Sequence, residues 1–396
     1  MSKYLLIKQG NIHNAVDKDT FTGDILIEDG MIKKIAPVLE GKIVNDAEII
    51  DATGLDVYPG FVDAHCHMGL DGYAVGFAGQ DYNELGDPVT PQLSAVDAIN
   101  PQDETFRMAR EGGVTCVATG PGSSNVIGGT FCAIKTYGKR VDDMLVKEKV
   151  AMKIAFGENP KNCYKDKGVY SRMSVAAKLR EELTKAKIYE KKLEAAGYPD
   201  NIDYSKLPAY DAKMEALLPV IRKEIPLKAH AHRADDIFTA IRIAKEFDVD
   251  LGIDHTTDGA LIAEDLAKEG YPVAVGPSFG HVGKYELKNK GFHTPAILAE
   301  AGCQICIITD SPVIEERYLA LCAGRAIFNG LDPFTALQAI TINAAKHVGI
   351  EDRVGSIEEG KDADIVIVEG NPFAVDTKIL YTIIDGKIIC KDGVSC

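Results

Sequence analysis

The chain has 396 residues, 46% of them hydrophobic and 26% charged, enough for one large domain with an appended module. Its 59 acidic side chains against 44 Lys and Arg give a net charge of −15, which excludes the basic face that nucleic acid or an anionic membrane attracts. No apolar stretch approaches the ~20 residues needed to span a bilayer, and the apolar run in MSKYLLIKQG is too short for a signal-peptide core.

Residues 1–57 hold short β-like runs divided by turns: YLLIKQG, GDILIEDGMIKKI and AEIIDATG. Asp29-Gly30 supplies the positive φ that a tight hairpin demands. From residue 58 to 352 the texture becomes strand–helix alternation, which implies a parallel sheet with crossover helices. Eight runs read as strands: GFVDAH, GVTCVATG, GTFCAIKT, VAMKIAFG, IPLKAHAH, VDLGIDHT, YPVAVGPS and CQICIITD. Eight is the number for a closed (β/α)8 TIM barrel. The third run reads equally as a hairpin excursion. The spacing of Val175, Leu179, Leu183 and Ala186 predicts a helix over 175–196, with Ser174 as N-cap and Gly197 as stop. Residues 353–396 repeat the grammar of the N-terminus, again with an Asp-Gly turn at Asp385-Gly386. The expected fold is therefore α/β: a (β/α)8 barrel with a small β-sandwich domain formed by both chain termini.

The nine cysteines are odd in number and mostly lie in apolar runs, which argues against a disulfide framework and for a reduced, cytoplasmic protein. CQIC at 303–306 has metal-ligand spacing but reads as a buried strand with no second pair nearby.

Polar residues collect where the strands end. Strand one ends in His65 and His67, strand four in Gly157-Glu158, and strand five in His230 and His232. Strand six ends in Asp254-His255 and strand eight in Asp310. In a barrel these ends share one rim. Histidines with carboxylates make a transition-metal constellation, not an oxygen-only calcium cage. Because side chains alternate along a strand, His65 and His67 share one side and Cys66 takes the other, as a small buried hydrophobe.

The segments PGFVDAHCH (59–67), KAHAHRADD (228–236), IDHT (253–256), ITDSP (308–312) and GSIEEGKDADIVIVEGNPF (355–373) resemble the amidohydrolase superfamily, nearest its imidazolonepropionase and prolidase branch. AFGENPK (155–161) is similar to a subgroup known only as amidohydrolases. The terminal β segments match that superfamily's composite β-sandwich. TINAAK (341–346) departs, with Ala344 where relatives often have proline.

The resemblance implies divalent metal, most often zinc, one or two per chain. It implies His65 and His67 on the more buried metal, His230 and His255 on a second, and Asp310 on the first, touching a bridging hydroxide. A zinc-bound water has its pKa lowered to about 7, and a carboxylate beside it can relay the proton to a leaving nitrogen, the catalytic role for Asp310. Two assignments stay open. His230 or His232 ligates from strand five, with His230 favoured. Glu158 or a carboxylated Lys153 bridges, with Glu158 favoured because it follows the strand directly.

Arg172, His232, Arg233, His281 and Lys284 lie in or beside predicted rim loops that would contact substrate, where cations can clamp a carboxylate. GPGSSNVIGG (120–129) is a rim loop without the Gly-Lys-Ser/Thr ending of a phosphate loop. The expected function is metal-dependent hydrolysis of an amide, cyclic amide or dipeptide-like C–N bond in a small molecule. A rival is a mononuclear deaminase or imidazolone-type hydrolase. Such enzymes place a glutamate three residues after the strand-five histidine, where this chain has Arg233. A catalytically silent scaffold is a second rival, disfavoured because every ligand position is filled. Homo-oligomers are open, dimers being the commonest assembly.

Overall fold

A computed structural model describes residues 4–40, 47–72 and 76–395; Cys396 lies outside them. The N-terminal strands are β1 (Tyr4–Ile12), β2 (Phe21–Glu28), β3 (Met31–Ala36), β4 (Glu48–Asp51) and β5 (Asp56–Pro59). Asp29 and Gly30, at φ 51° and 85°, make the predicted tight turn between β2 and β3.

The eight predicted central strands all form. They are β6 (Phe61–Cys66), β7 (Val114–Thr119), β8 (Ile127–Lys135), β9 (Leu145–Ala155), β10 (Leu227–Ala231), β11 (Leu251–His255), β12 (Val273–Val275) and β13 (Ile305–Ile307). They lie side by side in sequence order, in one eight-stranded sheet. One part of the (β/α)8 expectation is corrected. β8 runs antiparallel to both β7 and β9, while the other neighbours are parallel. A parallel neighbour needs a helical crossover of a dozen or more residues. The connection 120–126 between β7 and β8 is too short for one, so GTFCAIKT is the hairpin excursion.

The sheet nearly closes on itself. At the seam between β6 and β13, His67 N–H donates to Ser311 O at 2.8 Å and Asp310 N–H to His65 O at 3.2 Å. Buried Asp63 spans this seam, its Oδ1 accepting from His65 N at 2.9 Å and its Oδ2 from Thr309 N at 2.8 Å. The Thr309 hydroxyl bonds the same Oδ2 at 2.7 Å and lies 3.1 Å from Glu316 Oε2. Burial, reinforced by the adjacent Asp63, pushes the Glu316 carboxyl well above its ordinary range.

Helices follow the strands: α1 (Glu104–Glu111), α2 (Glu158–Tyr164), α3 (Arg172–Ala195), α4 (Ala212–Ile221), α5 (Ala234–Phe247), α6 (Ala263–Glu269), α7 (Thr294–Glu300), α8 (Leu319–Phe328), α9 (Pro333–Ala339) and α10 (Ile342–His347). In α3 the predicted apolar face is buried, but the helix starts a turn earlier than expected. Ser171 caps it and Ser174 completes a reciprocal capping box at N3, 3.2 Å and 3.0 Å between side chain and amide.

The C-terminal strands are β14 (Ile365–Glu369), β15 (Lys378–Ile384), β16 (Lys387–Lys391) and β17 (Val394–Ser395). They join the N-terminal strands in one nine-stranded sheet through antiparallel pairing of β14 with β5, Ile365 opposite Pro59. This sheet is tied to the barrel by buried Lys135 at the end of β8. Its Nζ lies 2.9 Å from Asp362, 2.8 Å from Asp364 and 3.1 Å from Asp385. Among the described residues no helix is long and apolar enough to cross a membrane.

Candidate metal centre

The ends of β6, β10, β11 and β13 bring five histidines and a carboxylate together in two groups: His65, His67 and Asp310, and His230, His232 and His255. Within each group the ligating atoms lie within 4.8 Å of one another. The rings of His65 and His255 stand 5.0 Å apart, so the two groups adjoin. Cys66 points the other way, its Sγ donating to Ala118 O at 3.6 Å. Cys303 and Cys306 of the CQIC stretch form no disulfide.

Four of the five rings have a polar contact behind them. His67 Nδ1 donates to Gly120 O at 2.7 Å and His255 Nδ1 to Gly276 O at 2.8 Å. His65 Nδ1 faces Asp254 Oδ2 at 3.0 Å, and His232 Nδ1 pairs with the Thr257 hydroxyl at 2.7 Å. A proton held on Nδ1 leaves Nε2 with a lone pair aimed into the cluster, the arrangement of metal-bound imidazoles. His65 Nε2 and His67 Nε2 then meet Asp310 Oδ1 at 3.3 and 3.2 Å, three acceptors facing one another. A cation between them removes that conflict. His255 Nε2 and both nitrogens of His230 are buried and have no hydrogen-bond partner among the described residues. Such groups are rare without a ligand, and the donor set fits a divalent transition metal.

The electrostatics agree. Burial pulls the His255 imidazole down to about 3 and holds His230 and His232 well below their ordinary value. Neutral imidazole is the form that binds metal. Backbone strain also concentrates here. His255, Thr256 and Asp310 adopt φ of 75°, 44° and 55°, and for β-branched Thr256 this is an outlier held by its surroundings.

Glu158 heads α2, and its Oε1 accepts from Glu286 N–H at 3.0 Å, away from the His65 group. Lys153, fully buried inside β9, brings its Nζ to 3.4 Å from His65 Nε2 and 3.8 Å from Asp254 Oδ2. Burial lowers its amine to about 8, against the pull of Asp254. Glu158 lies three residues past the end of β9 and heads a helix, whereas Lys153 lies within the strand.

The expected carboxylate clamps are already engaged. Arg172 Nε donates to Asp236 at 2.9 Å, and Arg233 forms a two-pronged pair with Asp235 at 2.9 and 2.8 Å. Lys284 Nζ pairs with Glu286 at 2.7 Å, and His281 is exposed in the loop after β12. Sequence reasoning missed Glu286 and the buried network of Asp254, Lys228 and His347. Asp254 Oδ1 accepts from Lys228 Nζ at 2.8 Å and faces His347 Nε2 at 3.3 Å. The two-residue step from Lys228 to His230 carried a signal for the first of these; nothing in the sequence carried one for His347.

Residues 57–389 match the amidohydrolase family. The chain is similar to a solved amidohydrolase from Thermotoga maritima MSB8, with 41% identity and a TM-score of 0.93 over 98% of this chain and 100% of that one. It is 27% identical to amidohydrolase tasK of Hapsidospora irregularis over 94% of this chain, and 26% identical to an adenine deaminase of Listeria monocytogenes over 98%. It spans 40% and 58% of the lengths of those two curated relatives. With strand-end histidines on a nearly closed eight-stranded barrel and a match over most of its length, the chain belongs to the amidohydrolase family.

Proposed function

We propose that this chain hydrolyses an amide-type carbon–nitrogen bond of a small molecule at a divalent metal centre, with zinc as the resident ion. The observation that carries the reading is the convergence of His65 Nε2 and His67 Nε2 on Asp310 Oδ1, at 3.3 and 3.2 Å. In this reading His65, His67 and Asp310 hold one metal, His230 and His255 a second, and Lys153 takes the bridging position in place of Glu158. Lys153 reaches it as a carbamate: its neutral amine adds to carbon dioxide, forming an N–C bond and releasing one proton. An amine lowered to about 8 supplies that neutral form at near-neutral pH. A divalent metal held there would supply polarisation of the scissile carbonyl and an acidified water. Asp310 takes a proton at its carboxylate and returns it to the leaving nitrogen. The orienting bonds from Gly120, Gly276 and Asp254 keep the imidazoles in register.

The test is metal per chain by plasma mass spectrometry, on protein prepared without chelator, for wild type, Lys153→Met and Glu158→Gln. About two metals per chain, falling in Lys153→Met and unchanged in Glu158→Gln, supports the reading. A loss confined to Glu158→Gln would restore the glutamate bridge, and no metal even after supplementation would sink the enzyme reading.

The deaminase reading remains as a second, because a buried carboxylate, Glu286, lies 3.8 Å from His230 Nε2 although Arg233 occupies the expected glutamate position. Ammonia release from amino-substituted heterocycles, with no turnover of amides, would favour it.

A further inference from the structure

β8, the strand that runs against both neighbours, carries Phe131 into the barrel interior, 0% exposed. The buried cluster it joins is built from small and aliphatic side chains, Val62, Ala64, Ala118, Ala151 and Cys306 among them. Phe131 is its one aromatic among the described residues. The same ring borders the candidate centre. It stacks on His65, with centroids 5.2 Å apart and planes at 24°, and meets His67 edge-on at 6.3 Å. Lys153 Nζ lies 5.4 Å from its centroid and Lys228 Nζ 5.5 Å. An aromatic face attracts ammonium groups at this range. Lys228 also keeps Asp254 at 2.8 Å, so the ring retains a cation when Lys153 gives up its charge. The ring further occupies the place where a Cβ at Gly120 would stand, and Gly120 O is the carbonyl that holds His67. A shorter side chain would leave a void beside Lys153 and His65, edged by polar atoms, the kind of cavity that water enters.

We propose that Phe131 is a positioning residue that preserves the carbamate of Lys153 by filling the space from which water would reach it. The role rests on the carbamate reading above and adds the residue that keeps that group in place. A carbamate is lost when its nitrogen takes a proton: the N–C bond breaks, its electron pair stays on nitrogen, and carbon dioxide departs. Water delivers that proton, and an apolar side chain that excludes it lengthens the life of the adduct. The hairpin excursion of β8 thereby gains a purpose, since it brings this ring to the centre without a crossover helix.

The experiment loads the full chain with zinc and isotope-labelled bicarbonate, then moves it into buffer freed of carbon dioxide. Loss of the labelled carbamate by carbon NMR and zinc per chain are followed for wild type, Phe131→Leu, Phe131→Met and Ile350→Ala. Ile350 belongs to the same cluster, so its truncation controls for lost packing alone. Phe131→Leu should shed the label at least about tenfold faster than wild type and lose zinc with it, and fresh bicarbonate should restore both. Phe131→Met, with nearly the bulk of the native side chain, and Ile350→Ala should stay within about threefold of wild type. A Phe131→Leu chain that keeps its label as long as wild type would overturn the inference and leave the carbamate reading standing. So would equally fast loss in Phe131→Met or in Ile350→Ala, since bulk beside Lys153 would then not be the cause. A wild-type chain that takes up no label would overturn both.

Discussion

Asp254 sits behind the candidate centre, and replacing it by Asn keeps its volume while removing its charge. Its two oxygens serve three partners: His65 Nδ1 at 3.0 Å on one, and Lys228 Nζ at 2.8 Å and His347 Nε2 at 3.3 Å on the other. Burial works against the ionised carboxyl, but Lys228 and His65 outweigh it and hold the group well below the usual range. An asparagine presents one carbonyl and one amide, so whichever way it turns, a donor meets a donor. The buried Lys228 ammonium is left without its carboxylate. Removing one member of a buried charge pair costs about 3–5 kcal/mol, to be read by urea denaturation. Loss of the group orienting a metal-bound imidazole costs about 10–100-fold in metal affinity, or roughly 1.4–2.7 kcal/mol. Competition against a chromophoric chelator measures the second quantity. His347→Gln is the control. It removes a partner of the distant oxygen, so it should lower stability while leaving zinc affinity within about threefold of wild type. If Asp254→Asn binds zinc as tightly as wild type, His65 does not depend on that carboxylate and the argument fails.

Two further outcomes follow from the packing. At Gly276, φ is 150° and an added Cβ would stand 2.1 Å from Ile308 O, so Gly276→Ala must displace the very carbonyl that holds His255. Metal content should drop by about one ion per chain, and retention of the full complement would show that the carbonyl is dispensable. Lys135→Met leaves buried Asp364 without its cation in the interface between sheet and barrel, while Arg353 keeps Asp362 paired, and should cost about 3–5 kcal/mol in urea denaturation. Burial pulls the Lys135 amine down, but Asp364 and Asp385 outweigh it and hold it above its ordinary value. Its contribution is therefore whole below the unfolded value of about 10.4 and lost as pH rises through the folded one. The difference between wild type and variant should stay flat from about pH 6 to 9 and shrink only in stronger alkali; a difference that vanishes near neutrality would contradict this sign.

Much of this was readable in the sequence because it rests on short-range rules. The eight strands announce themselves as apolar runs, the Asp-Gly turns by their need for positive φ, and His65 against Cys66 by the two-residue alternation of a strand. The direction of β8 was not readable from its own residues, since an antiparallel strand carries the same apolar run as a parallel one; the short connection held the clue. Between Lys153 and Glu158 the sequence favoured the glutamate only for following the strand directly, and where a strand gives way to a helix has no local mark that says which side chain stays on the wall. Alternation also fails at His255, whose left-handed backbone lets Asp254 and His255 both serve the same cluster. Glu286 and His347 reach it from a loop and a helix far along the chain, and long-range proximity leaves no local pattern.

The seam at Asp63 has a consequence for how the chain comes together. Asp63 and Thr309 are 246 residues apart, yet they are hydrogen-bonded beside His65 and Asp310. Whatever grips both strand ends acts as a cross-link over that length, and a cross-link of this span removes on the order of 5 kcal/mol of unfolded-chain entropy. The first and last strands thus meet where the chemistry is proposed to happen. Occupancy of that one point would report that the ring has shut, and a chain synthesised only as far as β12 would have the histidines of β6 with nothing to share.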